Sequence, residues 1–197
     1  MRLIAPNPGT LVVGPDTTGQ DVAVSNPEEL PIPDAFADVF AANHDYVKTF
    51  SLSGLEARAA KGLAIITCMD SRIAPLEVLG LEPGDAKILR NAGARVTGDV
   101  LRTLVLAVYL LGVKRVLVMP HTQCRMAEST EAELHDLIDQ RHGIDTSSIK
   151  FKPIKDPIAT LRKDIAAITS HPLLPPDLEV AGAIYDVTTG QLTQLQA

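Results

Sequence analysis

Gly62-Leu63-Ala64-Ile65-Ile66-Thr67-Cys68-Met69-Asp70-Ser71-Arg72 is the stretch from which the fold can be read. Its first half, residues 62–67, is a short unbroken apolar run, the mark of a strand buried on both faces. The chain then turns polar, so Cys68 falls at the strand's C-terminal end. Outward from here the pattern repeats. Residues 86–90 read as a second strand, followed by the turn Asn91-Ala92-Gly93. Residues 114–119 form a third apolar strand, with His121 just beyond it. Residues 180–185 are a fourth. Thr188-Thr189-Gly190 is a turn from which residues 191–195 return as a hairpin strand.

Helical periodicity fills the gaps. Asp34 reads as the N-cap of a helix running to about Phe50, with Phe36, Val39, Phe40, Val47 and Phe50 mostly on one face. Asp99 reads as the cap of a helix ending at Leu111. Its buried positions are Val100, Leu101, Leu104, Val105, Val108 and Leu111, and Gly112 suits the residue that ends it. Two further helices cover about 128–141 and 157–170. Alternating strands and helices predict an α/β fold: a mostly parallel central sheet flanked by helices, with an N-terminal arm and a C-terminal hairpin. Residues 1–33 hold six of the 14 prolines and little periodicity, so they read as the arm. Residues 34–197 read as a single α/β domain.

A net charge of −6 excludes a nucleic-acid binder, which needs basic surface against phosphates. The longest apolar run, 104–111, is far short of the ~20 residues that span a bilayer, so no membrane partner is expected. Pro6 and Pro8 break the apolar run at the N-terminus, and no signal peptide is read there. Two cysteines do not make a disulfide framework. The expected setting is the cytoplasm.

Both cysteines occupy metal-ligand positions. Cys68 opens Cys68-Met69-Asp70-Ser71-Arg72, and Cys124 closes His121-Thr122-Gln123-Cys124. Two thiolates and an imidazole are three of the four ligands of a tetrahedral zinc. Cys68 and His121 both lie beyond strand ends, where ligand crevices form in parallel sheets. The fourth ligand is open: Asp70, water or a histidine from elsewhere could supply it. Arg72 offers planar donors that can hold the Asp70 carboxylate. The competing reading makes the cysteines buried core thiols and Asp70–Arg72 a plain surface pair.

Together these motifs resemble the zinc site of the β-class carbonic anhydrases. Asn91-Ala92-Gly93, Leu111-Gly112-Val113 and Tyr185-Asp186-Val187-Thr188-Thr189-Gly190 extend the resemblance over about residues 34–195. The chain departs from the family pattern at Gln123, where Asp is common, and at Arg125, where Gly is common. The resemblance implies a carbonate dehydratase, in which zinc-bound hydroxide reversibly hydrates CO2 to bicarbonate and a proton. It implies Cys68, His121 and Cys124 as zinc ligands and Asp70 and Arg72 as catalytic residues. Asp70 would become a fourth ligand only in a closed state. A homodimer or a multiple of dimers is implied as well.

Two rivals keep the metal. One is a carbonyl sulfide or carbon disulfide hydrolase of the same fold. The other is a non-catalytic zinc protein with Asp70 as permanent fourth ligand. His44, His135, His142 and His171 stand as weak proton-shuttle candidates. Arg95 and Arg102 read as solvated or paired charges, and Arg125 as a surface or interface charge.

Overall fold

The computed structural model describes residues 11–13, 22–24 and 33–195, and the chain divides into two compact units, 1–53 and 54–197. In the first, β1 (Leu11–Val13) pairs antiparallel with β2 (Val22–Val24). The rest of the 1–33 arm lies outside the described residues. A 3-10 turn, Asp34–Phe36, leads into α1 (Ala37–Lys48). The expected cap at Asp34 is not found. Asp34 lies within the 3-10 turn, and α1 starts after Phe36, which has no side-chain acceptor to offer. Phe36, Val39, Phe40, Val47 and Phe50 are all exposed.

The second unit is built on β3 (Leu63–Cys68), β4 (Ala86–Asn91), β5 (Arg115–Met119), β6 (Glu179–Tyr185) and β7 (Leu192–Gln194). They form a five-stranded sheet in the order β4-β3-β5-β6-β7. The first four are mutually parallel, and β7 returns antiparallel along β6. From β3 the chain adds β4 on one side and then β5 on the other. That reversal opens a crevice at the carboxyl ends of β3 and β5. The register sets Cys68 beside Asn91 and Thr67 beside Met119.

Side chains alternate across the sheet with the strand period of two. Ala64 and Ile66 of β3 and Val116 and Val118 of β5 face one core, with α3 (Gly98–Leu111) and α5 (Pro157–Thr169) packed over them through Leu104, Leu161 and Ile168. Ile65, Met119 and Tyr185 face the other core, with Ile73 and both cysteines. The single turn α2 (Pro75–Val78) follows the loop after β3, and α4 (Glu131–His142) follows a 3-10 turn at Arg125–Ala127. Each fully buried Ile or Leu here stabilises the fold by about 1.5–3 kcal/mol.

Helix starts are where sequence reading slips. Thr97, not Asp99, caps α3, its Oγ1 accepting the Val100 N–H at 3.4 Å. Asp99 sits in the first turn, where a negative charge still favours the helix dipole, and pairs with Arg102. In α3 Val100 and Leu104 are buried as expected and Ala107 joins them, whereas Leu101, Val105, Val108 and Leu111 are only partly covered. Gly112 does end the helix in the left-handed region, at φ 75°. α4 begins at Glu131, set by a capping box between Thr130 and Glu133.

Candidate metal centre

β3 delivers Cys68 at its last residue, and the turn after β5 delivers His121 and Cys124. The two cysteine sulfurs and a ring nitrogen of His121 all lie within 4.8 Å of one another. Among the described residues this is the one group of three or more His, Cys, Asp or Glu side chains able to hold a metal ion. All three are buried. The sulfurs stand 4.0 Å apart, twice a disulfide bond length, so both cysteines are free thiols.

His121 decides between core packing and metal binding. Its Nδ1 lies 2.8 Å from the Thr122 carbonyl oxygen. A carbonyl only accepts, so Nδ1 carries the proton and Nε2 keeps its lone pair. That Nε2 is buried and has no hydrogen-bond partner. An orphaned buried nitrogen is costly unless something fills its coordination, and a metal ion does so. Burial favours the neutral imidazole and lowers its pKa, although the Thr122 hydrogen bond and nearby Asp70 oppose this. Burial likewise pushes the Cys124 thiol up to about 11, with the neighbouring Cys68 adding to it. A bound cation reverses that preference, because it favours thiolate.

Above this cluster lies Asp70. Its Oδ2 is 3.8 Å from His121 Nε2. Arg72 grips it with three hydrogen bonds: Nη2 to Oδ2 at 2.8 Å, Nε to Oδ1 at 3.0 Å and the backbone N–H to Oδ1 at 2.9 Å. The guanidinium hydrogen bonds hold the Asp70 carboxyl well below the usual carboxylate range. Gln123 holds Arg72 from the other side, its carbonyl oxygen accepting from Nη2 at 3.2 Å and its Oε1 from Nη1 at 3.4 Å. Gln123 adopts φ 53°, in the left-handed region. Arg90 braces the same loop through the carbonyls of Cys68 and Asp70.

Below the sulfurs, the Gly93 N–H donates to Cys68 Sγ at 3.4 Å. Gly93 sits at φ 80°, where any other residue is strained, and a Cβ there would meet Ile154 Cδ1 at 3.0 Å, closer than ordinary contact. The metal turn itself is sewn to the sheet. The Tyr185 N–H donates to the Pro120 carbonyl and the Thr122 N–H to the Tyr185 carbonyl, each at 2.9 Å.

The Carbonic anhydrase family model matches residues 63–166, the span that holds all three candidate ligands. β-Carbonic anhydrase 1 of Mycobacterium tuberculosis strain H37Rv is 33% identical over 159 residues, covering 80% of this chain and 96% of that protein. This chain belongs to the β-class carbonic anhydrases. The crystal structure of the Streptococcus mutans carbonic anhydrase superposes with a TM-score of 0.78 at 38% identity, covering 84% of this chain and all of that one. The carbon disulfide hydrolase of Acidianus sp. strain A1-3 is 30% identical over 154 residues, covering 66% of this chain and 75% of that protein. β-Carbonic anhydrases are zinc enzymes, and the Cys–His–Cys cluster with its orphaned nitrogen fits that ion.

The remaining polar residues singled out in the sequence go elsewhere. Arg125 pairs with Glu128 on the surface at 2.9 Å. His135 hydrogen-bonds Thr146 and packs at a tilt against Phe151, and His171 accepts the Leu173 N–H. His142 ends α4 exposed, and His44 lies in the first unit. Among the described residues no second histidine joins the ligand cluster. Sequence reasoning missed Arg90 and Asp164. It saw Gln123 only as a departure from pattern, not as the residue that holds Arg72.

Proposed function

We propose that this β-carbonic anhydrase catalyses the reversible hydration of CO2 to bicarbonate and a proton, with zinc held by Cys68, His121 and Cys124. The observation that carries the reading is His121: its Nε2 is buried, unpartnered and 3.8 Å from an arginine-gripped carboxylate, and its ring brings a nitrogen within 4.8 Å of both sulfurs. When bound, zinc supplies a Lewis acid that brings the pKa of water from 15.7 toward about 7.

Ionised Asp70 can only accept a hydrogen bond. It therefore orients an attacking O–H by taking its proton in a hydrogen bond, which turns the oxygen lone pair toward the CO2 carbon. Arg72 keeps Asp70 ionised and turned away from the ligands, and Gln123 keeps Arg72 in place. Released from that grip, Asp70 is the carboxylate available as a fourth ligand, which would close the site.

Residues 34–197 make up the proposed catalytic domain and 1–33 its arm. We place the protein in the cytoplasm, where buried thiols stay reduced, and as a homodimer or a multiple of dimers. The exposed aromatic and aliphatic side chains of α1 support self-association. Among the described residues no helix is long and apolar enough to cross a membrane.

Stopped-flow CO2 hydration on protein of measured zinc content, at pH ~7 and ~8.5, tests the activity. Fast turnover supports it. Carbonyl sulfide turnover without CO2 hydration would move the assignment to the sulfur-substrate hydrolases, and zinc without either activity would leave a non-catalytic metal protein.

A further inference from the structure

An ion pair lies beneath the site that the chemistry above does not use. Arg95 reaches across to Asp164 of α5, its Nε donating to Oδ2 at 2.7 Å and its Nη2 to Oδ1 at 3.3 Å. Its Nη1 donates to the Lys152 carbonyl at 3.0 Å. The two side chains are only 15% and 6% exposed. Taking both charges out of water is costly, and apolar residues of similar volume often hold a fold as well or better. Stability alone is therefore a poor account of the pair.

Its backbone connections suggest a better one. The Arg95 N–H donates to Asn91 Oδ1 at 2.8 Å, and Asn91 Nδ2 donates to the Arg95 carbonyl at 2.7 Å. Asn91 closes β4 beside Cys68, and its own carbonyl accepts the Met69 N–H at 3.0 Å. Between Asn91 and Arg95, both Gly93 and Ala94 stand in the left-handed region, at φ 80° and 56°. For Ala94 that conformation is uphill and persists only where the surroundings impose it. The loop is thus held at both ends by Asn91 and Arg95, and α5 anchors Arg95. What the loop delivers is the Gly93 N–H, aimed at Cys68 Sγ. Asp164, Gly93, His121 and Cys124 also line one small void of about 20 Å³, so the carboxylate of the pair and two candidate ligands border the same space.

An N–H donated to a thiolate draws electron density from the sulfur. A metal bound to that sulfur receives less charge and stays a stronger Lewis acid, and groups of this kind tune a metal as surely as its direct ligands do. We propose that Arg95 and Asp164 are positioning residues of the metal centre: their buried pair fixes the Asn91–Arg95 loop so that the Gly93 amide hydrogen-bonds the Cys68 sulfur. This rests on Cys68 being a metal ligand.

The test uses the full chain loaded with cobalt(II) in place of zinc, read by the near-ultraviolet thiolate-to-cobalt charge-transfer band, together with zinc affinity by chelator competition. Arg95→Met/Asp164→Leu removes the pair without leaving a lone buried charge. The expected result is a folded protein whose band moves to longer wavelength and whose zinc is held about 10-fold more weakly or worse. Asp164→Asn, which keeps the shape, should move both readouts in the same direction by less, and serves if the double variant does not fold. Asp85→Asn breaks the Lys61–Asp85 pair at the other end of the strands and should leave the band unmoved. A folded double variant with a wild-type band and wild-type zinc affinity overturns the inference. So does an equal shift in Asp85→Asn, which would make the effect general loosening. A wild-type protein with no thiolate band at all would instead overturn the metal reading itself.

Discussion

Two arginine–aspartate pairs flank the thiols and are built in opposite ways. At the mouth of the site, Asp70 and Arg72 stand two residues apart in one turn, with side chains 19% and 47% exposed. At its floor, Arg95 and Asp164 come from elements 69 residues apart and are nearly sealed from solvent. A pair in water opens easily, because water solvates each charge as they part. A pair out of water keeps its geometry, because a charge left alone there has nothing to replace its partner. The openable pair stands where, on the proposed function, a carboxylate chooses between an arginine and a metal. The sealed pair stands where a backbone amide has to stay aimed.

The sharpest way to break this comparison is to remove the sulfur between the two pairs. Cys68→Ser is expected to abolish both stoichiometric zinc, by metal analysis, and CO2 hydration; a variant that keeps one zinc per chain would mean that neither pair frames a metal through Cys68. Asp70→Asn comes next. It keeps the shape of the mouth but weakens its acceptor and the hold of Arg72, so kcat should fall on the order of 10²-fold with zinc retained. Near-normal turnover would end the orienting role of Asp70.

Stability then separates the pairs directly. Arg95→Met strands the Asp164 charge and should cost about 3–5 kcal/mol in urea unfolding. Arg72→Met should change the unfolding midpoint little, because its partner stays hydrated. Equal losses would dissolve the distinction.

pH sharpens it further. In the metal-free protein the Cys124 thiol is raised from its ordinary 9.0 to about 11, so folding favours its neutral form. The stability this contributes is complete below pH 9 and disappears as pH rises through about 11. Melting temperature should therefore fall over that window more in chelator-stripped protein than in zinc-loaded protein, whose thiolates are already formed. The smallest effect is expected from Gln123→Ala, which leaves Arg72 its carbonyl acceptor and removes only the 3.4 Å side-chain bond. A few-fold loss in kcat, with zinc content unchanged, matches one hydrogen bond.

The mouth was legible in the sequence and the floor was not, for a physical reason. Cys68, Asp70 and Arg72 share one turn, and a parallel sheet brings the carboxyl ends of β3 and β5 together whatever lies between them. The α/β architecture and the Cys68, His121 and Cys124 cluster follow from strand ends alone. Asp164 carries no such signal. On an amphipathic helix a lone aspartate reads as a solvent-facing charge, and nothing local shows that its partner lies in a loop far back along the chain. Helix starts failed for a related reason. Thr97 and Asp99 are both good capping residues, and only packing decides which one the first turn uses.

The stitching of Thr122 and Tyr185 into the sheet has a consequence for hydrogen exchange. Their amides are bonded to backbone carbonyls at the edge of a buried site, so they exchange only when β5 and β6 come apart. The Arg72 amide is bonded to a carboxylate in a surface turn and exchanges by a local opening. A chain labelled in heavy water would therefore mark the Asp70 loop within the first exposures and the His121 turn among the last.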